Sequence, residues 1–341
     1  MRHQERETDM AATSAFAKGG AGIDSVELRE VAIPEPGPGE ALVRLKAATL
    51  NFRDLLFVNG VLPGMTKQPE YVPLSCATGE VLAVGEGVAR VKAGDRVNPL
   101  FHQGLAAGAR NSPDMLGGSA DGVARTHAVF PAESLCLVPD ELGDLEAATL
   151  PCAALTAWSA LFDARPLKAG ERVLVQGAGG VSIAALQWAK AAGAEVIITS
   201  SSDAKLKRAK ALGADVGVNY RTSPDWAKAV RAASGGRGVD IVVDTAGASE
   251  LEASASLLND GGVIAAIGML GGDFSWNRQI DKPIVPISVG DREQHEAMLA
   301  FAARCGIRPV VDVVFDLTRL TDAMRCLESK QFFGKVGVNL R

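Results

Sequence analysis

Val173-Leu174-Val175-Gln176-Gly177-Ala178-Gly179-Gly180-Val181-Ser182 joins an apolar, strand-like run to a helical one through a glycine turn. Gly177 permits the tight turn, and Gly179 lets the backbone approach a pyrophosphate at the start of the helix. Ser182 stands where the pattern GxGxxG would have its third glycine. A purely structural turn between a strand and a helix would use the same residues. The strand, helix and second strand in register nevertheless favour dinucleotide binding.

Strand-like and helical runs alternate on the carboxyl side of this turn. We predict strands at 172–176, 196–199, 216–219, 241–244 and 263–267, and helices at 181–192, 204–212, 224–233 and 250–258. The strands are rich in β-branched residues and lack polar alternation, as expected for strands buried on both faces. This alternation predicts an α/β domain with a doubly wound parallel sheet of the Rossmann type.

The preceding part of the chain, from about residue 26 to 138, has a β-rich pattern. Short apolar runs at 41–45, 80–84, 96–100 and 128–130 are separated by Gly and Pro, which predicts a partly open β-barrel. The Gly-rich segment 103–122 is predicted to be a long exposed loop, and the Ala/Leu-rich segment 147–162 a helix.

The last fifty residues suggest a return to the first domain. A helix is expected at 292–304, followed by β-like segments at 310–315 and 336–340. The predicted organisation is therefore a discontinuous domain at 13–140 and 291–341, a dinucleotide-binding domain at 141–290, and a disordered tail at 1–12.

Composition excludes several classes of protein. The chain has 341 residues and a net charge of −5 with mixed signs, which argues against a nucleic-acid partner. Apolar runs stay short of membrane-helix length, and the polar first ten residues do not resemble a secretion signal, so we expect a cytoplasmic protein. Five scattered cysteines without a CxxC pair indicate free thiols, and only four histidines occur.

The end of the second strand predicts which dinucleotide binds. An NAD-preferring site would normally end this strand with an acidic residue that bonds the ribose 2′-hydroxyl. Ser200, Ser201 and Ser202 occupy that place, and Lys205 follows. Hydroxyl donors and a nearby cation suit a 2′-phosphate, so the cofactor is predicted to be NADPH. The alternative is that Ser202 or Asp203 caps the helix and the cations are solvated.

The motifs taken together resemble those of medium-chain dehydrogenase/reductases. They are LNFRD at 50–54, VGEGV at 84–88, GDRV at 94–97, ATLP at 148–151, the segment 173–220, GGRGVD at 235–240 and FGKV at 333–336. The resemblance implies a GroES-like catalytic domain, a Rossmann domain, and a cleft for the nicotinamide between them. It further implies that Lys205 and Tyr220 flank the adenosine 2′-phosphate and that Val289 and Gly290 lie near the nicotinamide. The remaining predicted cofactor residues are Thr156, Gly177, Gly179, Gly180, Val181, Ser200, Ser201, Ser202, Gly247 and Gly268.

The residues at the metal positions resemble the zinc-free branch of this family. The zinc branch uses Cys, His and Cys, whereas Asn51, Ser75 and Cys152 stand at those positions here. A catalytic zinc needs three protein ligands, so no metal is predicted, and Cys152 is interpreted as a small buried residue. The four cysteines of the structural zinc are also missing between Asn98 and Val123.

The quinone-reductase branch likewise has Asn at position 51. Its two following tyrosines are replaced here by Leu56 and Leu62, which weakens the expectation of a quinone substrate.

Asn51, Arg53 and Asp54 are the candidate catalytic residues. Asn51 would donate its amide to a substrate carbonyl or brace the nicotinamide ribose; alternatively it caps a helix beginning near Phe52. Arg53 and Asp54 would act directly, form an ion pair that steers the turn, or serve as a solvated cation and a cap. Cys76 is interpreted as a packed thiol, and His102 as a surface residue in preference to a proton donor.

The function predicted is a metal-free, NADPH-dependent reductase acting on a small enone, enal or quinone. The alternatives are a metal-free ketone or aldehyde reductase and a non-catalytic NADPH-binding protein. A homodimer is expected, with the apolar segments 263–267 and 284–289 available to pair.

Overall fold

The structure is a computed structural model that describes residues 11–104, 113–268 and 280–341. The chain divides into two compact units. The first comprises the residues up to Cys152 together with Asp291–Arg341, and the second comprises Ala153–Gly290. The boundary predicted from the sequence lies twelve residues earlier, between 140 and 141.

The strands and helices are as follows. The strands are β1 (Ala11–Phe16), β2 (Glu27–Ala32), β3 (Glu40–Thr49), β4 (Cys76–Val84), β5 (Arg96–Pro99), β6 (His127–Pro131), β7 (Leu135–Leu137), β8 (Arg172–Gln176), β9 (Glu195–Ser200), β10 (Val216–Asn219), β11 (Val239–Asp244), β12 (Leu258–Ala266), β13 (Ile284–Pro286), β14 (Val311–Asp316) and β15 (Lys335–Asn339). The helices are α1 (Phe52–Val58), α2 (Asp144–Ala147), α3 (Leu155–Phe162), α4 (Gly180–Ala191), α5 (Asp203–Ala211), α6 (Trp226–Ala233), α7 (Leu251–Ser256), α8 (Arg292–Cys305) and α9 (Leu320–Ser329).

The first unit is built on a mixed, largely antiparallel sheet with the order β14-β15-β3-β4-β5-β7, and β6 pairs with β3. Its core lies on the inner faces of the long strands β3 and β4, where Val43, Leu45, Ala77 and Val81 are buried. The last strand, β15, lies antiparallel to β3 with Gly337 opposite Thr49. This pairing brings the start of β15 to the end of β3, where α1 begins.

The second unit contains a six-stranded parallel sheet with the order β10-β9-β8-β11-β12-β13. Numbered within the sheet, this is the order 3-2-1-4-5-6 of a dinucleotide-binding fold. Every residue of β8 is buried, because helices cover both faces of such a sheet. The predicted fold class, a GroES-like β domain with a Rossmann sheet, is confirmed.

Several local expectations were wrong. The helix predicted at 147–162 is interrupted by a π-helical turn at Leu150–Ala154. Pro151 lies in that turn and has no N–H to continue the helical ladder. The segment 103–122 is not uniformly an exposed loop: residues 105–112 lie outside the described residues, but Leu116 is buried. A Cβ on Gly117 or Gly122 would come within 2.5 Å of the Leu74 carbonyl oxygen, so this part of the segment packs closely on residue 74.

The chain termini also differ from expectation. Of the predicted disordered tail, residues 1–10 lie outside the described part, and Ala11 and Ala12 begin β1. The strand β2 and the helix α9 were not predicted. None of the helices in the ranges described above is long and apolar enough to cross a membrane.

Candidate active site

Asn51 lies at the centre of a buried hydrogen-bonded cluster in the first unit. Its Oδ1 accepts a hydrogen bond from Lys335 Nζ at 2.6 Å, and Lys335 also donates to the Leu50 carbonyl. Its Nδ2 donates to Ser75 Oγ at 3.1 Å and to Cys76 Sγ at 3.0 Å. Both amide hydrogens of Asn51 therefore already have acceptors, and donation to a substrate would require one of these bonds to break.

Asn51 also begins α1. Its main-chain N–H donates to Asp54 Oδ2 at 2.8 Å, which is the reciprocal half of a capping box. Asp54 is buried, and its second oxygen, Oδ1, has no hydrogen-bond partner among the described residues. Burial raises the pKa of Asp54, against the neighbouring Arg53 charge, which lowers it. Asp54 thus takes part in the helix cap, which is one of the three roles considered for it in the sequence.

Arg53 projects from the first turn of α1 between two aromatic rings. Its guanidinium carbon lies 4.9 Å from the centre of the Phe57 ring and 4.3 Å from that of Phe101. Its Nη2 donates to the Leu116 carbonyl at 2.5 Å. Its Nε and Nη1 are buried and have no partner within the described parts of the chain. Arg53 is therefore not a solvated cation.

Cys76 and Cys152 are brought together beside Asn51. The Thr49 hydroxyl donates to the Ala148 carbonyl at 2.8 Å, which holds the segment after α2 against the end of β3. Burial alone would raise the pKa of Cys76, but a hydrogen bond from Cys152 and the charge of Lys335 lower it to about 6. The same hydrogen bond, together with burial, raises the pKa of Cys152. Cys76 is thus a polar member of the cluster and not only a packed thiol.

The donor set of this cluster does not fit the zinc site that the metal-dependent members of such a fold contain. The groups present are an amide, a hydroxyl and two thiols, and the Asn51 amide oxygen is bound by an ammonium group. Catalytic zinc takes three ligands from Cys, His, Asp and Glu. In residues 11–104, 113–268 and 280–341, no three such side chains are grouped to hold a metal ion.

The glycine turn of the second unit fits a dinucleotide. Gly177 has φ +77°, a conformation that favours glycine, and the Ser182 hydroxyl donates to the Gln176 carbonyl at 2.7 Å. Gly179 precedes α4, and a Cβ there would meet nothing within 4 Å. The first N–H groups of a helix have no intrahelical acceptor, so Gly179, Gly180 and Val181 offer an open anion cradle.

The end of β9 has the features of both interpretations offered for it. The Ser202 hydroxyl accepts from the Lys205 N–H at 3.4 Å and so caps α5, while Asp203 accepts from Asn219 Nδ2. Ser200 is buried and its Oγ accepts from the Ser202 N–H, which leaves Ser201 between them. The Tyr220 N–H donates to the Ser200 carbonyl at 3.1 Å, and its side chain is exposed. Ser200, Ser202 and Tyr220 are therefore neighbours at one corner of the sheet.

Four other predicted cofactor residues follow strands at the same carboxyl edge, namely Gly247, Gly268, Val289 and Gly290. A Cβ on Gly268 would lie 2.3 Å from the Gly247 nitrogen, so the loops after β11 and β12 touch there. Thr156 is buried on α3 one turn before Ser159, and the Ser159 hydroxyl donates to the Val289 carbonyl at 2.9 Å. Gly290, which follows, has φ +140°. The glycine turn and the loops after β11, β12 and β13 therefore all lie at the carboxyl edge of the sheet.

Some functional positions were missed or misjudged in the sequence. Lys335 entered only as part of the FGKV motif, because nothing local shows that its side chain is buried against Asn51. His102 was expected at the surface, but it is buried and its ring packs edge-on against Phe101 at 4.7 Å. The apolar neighbours Leu100 and Phe101 were the available signal for this burial.

Comparison with known proteins agrees with this architecture. The "Alcohol dehydrogenase GroES-like domain" family matches residues 37–140, and the "Zinc-binding dehydrogenase" family matches residues 180–304. A zinc-type alcohol dehydrogenase-like protein of Schizosaccharomyces pombe is 38% identical over 93% of this chain and 95% of its own length. The acryloyl-coenzyme A reductase of Metallosphaera sedula is 32% identical over 91% of this chain and 95% of its own.

Two solved structures show the same likeness. An NAD-dependent alcohol dehydrogenase superposes with a TM-score of 0.86 at 34% identity and covers 96% of this chain and 100% of its own. A mycobacterial protein in complex with NADPH superposes with a TM-score of 0.81 at 28% identity, over 96% and 99% of the two chains.

The fold and the site together define a two-domain oxidoreductase that uses a nicotinamide dinucleotide. This chain belongs to the medium-chain dehydrogenase/reductase superfamily.

Proposed function

We propose that this chain is an NADPH-dependent reductase that transfers hydride to an activated acceptor, namely an enone, an enal or a quinone, without a metal. The observation that carries the proposal is the hydrogen-bonded cluster of Asn51, Ser75, Cys76 and Lys335. The resemblance implies that Asn51 and Ser75 of this cluster, together with Cys152, stand at the zinc-ligand positions of the metal-dependent members, and this set of donors does not suit zinc.

The acceptor class follows from where charge develops. Reduction of an unactivated ketone places negative charge directly on its oxygen, which a zinc ion normally stabilises as a Lewis acid. Hydride added to the β-carbon of an enone, or to a quinone, gives an oxyanion whose charge is delocalised. Hydrogen-bond donors alone stabilise such an oxyanion more readily. The acryloyl-coenzyme A reductase among the relatives is named for a conjugated acceptor of this kind.

The cofactor proposal rests on the end of β9. Bound NADPH would supply the hydride, with Gly177, Gly179 and Gly180 holding the pyrophosphate. No acidic side chain ends β9, and Ser200, Ser201 and Ser202 with Lys205 would receive the 2′-phosphate. The structural neighbours include both an NAD-dependent protein and an NADPH complex, so the argument depends on these residues.

A screen of NADPH oxidation against a panel of acceptors tests the proposal. The panel contains 1,4-quinones, cyclic and linear enones, 2-alkenals and saturated ketones. We expect turnover with at least one quinone, enone or enal and little with saturated ketones. Robust reduction of saturated ketones without any reduction of the conjugated acceptors would contradict the proposal.

Two other functions predict different results in the same screen. A metal-free ketone or aldehyde reductase would consume NADPH with saturated carbonyls. A non-catalytic NADPH-binding protein would bind the cofactor and oxidise it with none of the acceptors. The hydrogen-bonded cluster does not favour the ketone or aldehyde reductase, because it provides no strong Lewis acid. It does not favour the non-catalytic protein either, because it keeps polar groups buried beside α1.

We propose further that the protein is a homodimer. Strand β13 is the last strand of the second unit's sheet, so its outer edge is unpaired within the described chain. An open sheet edge is a surface on which a second copy can add its own strand. Light scattering during size-exclusion chromatography should give a mass twice that of the chain.

A further inference from the structure

Arg53 carries buried hydrogen-bond donors that no described residue uses. Its Nε and Nη1 are inaccessible to solvent and lack acceptors, whereas its Nη2 is bound to the Leu116 carbonyl. Buried polar groups in native proteins nearly always have partners, and an unsatisfied guanidinium is among the most costly to leave unpaired. Within the described residues these donors therefore lack an acceptor, which points to a ligand as the group that supplies one.

The surroundings of Arg53 fix the guanidinium in place. The rings of Phe57 and Phe101 lie near it, and the bond to Leu116 ties one end. Cation–π contacts of this kind restrict the plane of an arginine side chain while leaving its edges available for hydrogen bonds. Arg53 is thus a preorganised donor and not a mobile surface charge.

The acidic neighbour of Arg53 does not use these donors. No ion pair between Arg53 and Asp54 occurs in the described structure, and the Asp54 oxygen that has a partner is bound by the Asn51 N–H. Asn51 has no amide hydrogen left to offer, since both are donated to Ser75 and Cys76. Of the three candidate catalytic residues, Arg53 alone has side-chain N–H groups that are not donated to a described residue.

We propose that Arg53 is the residue that binds the acceptor's carbonyl oxygen and stabilises the oxyanion formed on reduction. This rests on the proposed reductase function and assigns the oxyanion role to Arg53 in place of Asn51. Hydride bonds to the β-carbon, the C=C electron pair shifts to form the enolate, and the dinucleotide is oxidised. The negative oxygen is held by Nε–H and Nη1–H of Arg53 until water protonates the α-carbon. With a quinone, the same donors hold the phenolate oxygen of the hydroquinone monoanion.

The competing interpretation is that Arg53 only ties α1 to the segment around Leu116. A structural role predicts that substitutions reduce stability and leave ligand ionisation and turnover unchanged in the folded fraction. An oxyanion-binding role predicts the opposite pattern. Arg125 offers a matched control, because it is another arginine of the first unit whose Nε is buried and has no partner among the described residues.

The experiment uses 4-nitrophenol as an oxyanion probe in the full-length protein saturated with NADP⁺. The phenolate absorbs in the visible, so its ionisation when bound can be followed against pH. We expect the pKa of the bound phenol to fall by about one unit or more below its value in solution, since a tenfold preference for phenolate is one unit. Arg53→Gln should abolish this shift, Arg53→Lys should retain part of it, and Arg125→Gln should leave it intact.

Kinetics with the best acceptor from the screen provide the second readout. Arg53→Gln should lower kcat by about 100-fold or more, as loss of an oxyanion donor typically does, with NADPH affinity unchanged. Arg53→Lys should have a kcat between those of Arg53→Gln and the unaltered protein. A folded Arg53→Gln protein with unaltered kcat and phenol ionisation would overturn the assignment and leave the reductase proposal standing.

Two further outcomes separate this inference from the proposed function. If the unaltered protein binds phenolate through Arg53 and reduces none of the acceptors, the oxyanion site stands and the reductase proposal fails. If the unaltered protein shows no depressed phenol pKa, the Arg53 assignment fails even where every Arg53 variant proves too unstable to purify.

Discussion

At the scale of single residues, His295 shows how burial controls a charge. It lies on α8 with both ring nitrogens buried and without a hydrogen-bond partner in the described parts of the chain. Burial lowers its pKa from 6.5 to about 3, because the imidazolium would lose its hydration without gaining an acceptor. The folded protein therefore keeps His295 neutral in the range where the unfolded chain protonates it.

This difference predicts a loss of stability in mild acid. Since the unfolded state binds the extra proton below pH 6.5, the free energy of unfolding falls as the pH decreases toward the folded-state pKa. The decrease in the free energy of unfolding that is due to His295 reaches about 2 kcal/mol at about pH 5. Urea unfolding at pH 7.5 and pH 5 measures the free energy of unfolding at each pH. The difference between the two values should be smaller for His295→Leu than for the unaltered protein. His127→Leu, at a partly exposed site, is the control, and an undiminished pH dependence in His295→Leu would contradict the assignment.

Lys205 carries the residue-scale prediction for the cofactor. It lies in the first turn of α5, three residues after the Ser202 cap. One charge-assisted hydrogen bond to the 2′-phosphate is worth about 1.5–3 kcal/mol, so Lys205→Ala should raise the Michaelis constant for NADPH about tenfold or more. The constant for NADH should not change, because NADH has no 2′-phosphate. Lys210→Ala, at the other end of the same helix, should affect neither cofactor; equal use of NADPH and NADH by the unaltered protein would refute the NADPH proposal.

At the scale of elements, the turn between β8 and α4 contains one glycine that the backbone requires and one that it does not. Gly177 is needed by the backbone, since its φ is +77°. Gly179 is not, since its φ is −84° and a Cβ would meet nothing within 4 Å. A glycine at position 179 is therefore suited to a ligand that approaches the helix closely.

Gly179→Ala should consequently weaken NADPH binding without unfolding the protein. The added methyl group would occupy the space of the pyrophosphate, and we expect an affinity loss of about tenfold or more, or at least 1.4 kcal/mol. The melting temperature should stay close to that of the unaltered protein. Fluorescence titration with NADPH and thermal unfolding measure the two effects. Gly143→Ala, at another helix N-cap with ordinary space for a Cβ, is the control; unchanged NADPH affinity in Gly179→Ala would show that the turn is structural only.

Elements set by local pattern were predictable from the sequence, and those set by distant contacts were not. The bounds of β8 and β10 follow directly from their apolar, β-branched residues between turn signals. The break after Ala147 was missed because an Ala/Leu-rich pattern outweighed Pro151. At the site, Asn51 was singled out from its motif, but its partner Lys335 is 284 residues away. No local pattern shows that β15 pairs with β3, so the hydrogen bond from Lys335 to the Asn51 side chain could not be predicted from the sequence.

At the scale of the whole molecule, metal chemistry is decided by residues that the fold assembles from three separate segments. Asn51 lies between β3 and α1, Ser75 directly precedes Cys76 at the start of β4, and Cys152 lies in the π-helical turn after α2. Whether a metal ion can be held here is therefore determined by the side chains that these three segments carry.

The whole-molecule prediction is that the protein contains no stoichiometric zinc. The cluster contains two thiols, Cys76 and Cys152, which are hydrogen-bonded to each other. Its other polar groups are the Asn51 amide and the Ser75 hydroxyl. Two thiolates fall short of the three ligands of a catalytic site, and the segment from Asn98 to Val123 has no cysteine for a structural one. Elemental analysis of protein purified without added metal should give well under one zinc per chain. Chelators should leave both the melting temperature and any NADPH-dependent turnover unchanged, because no metal contributes to either. Near-stoichiometric zinc that is removed by a chelator together with activity would overturn this prediction and restore the Lewis-acid mechanism for unactivated ketones.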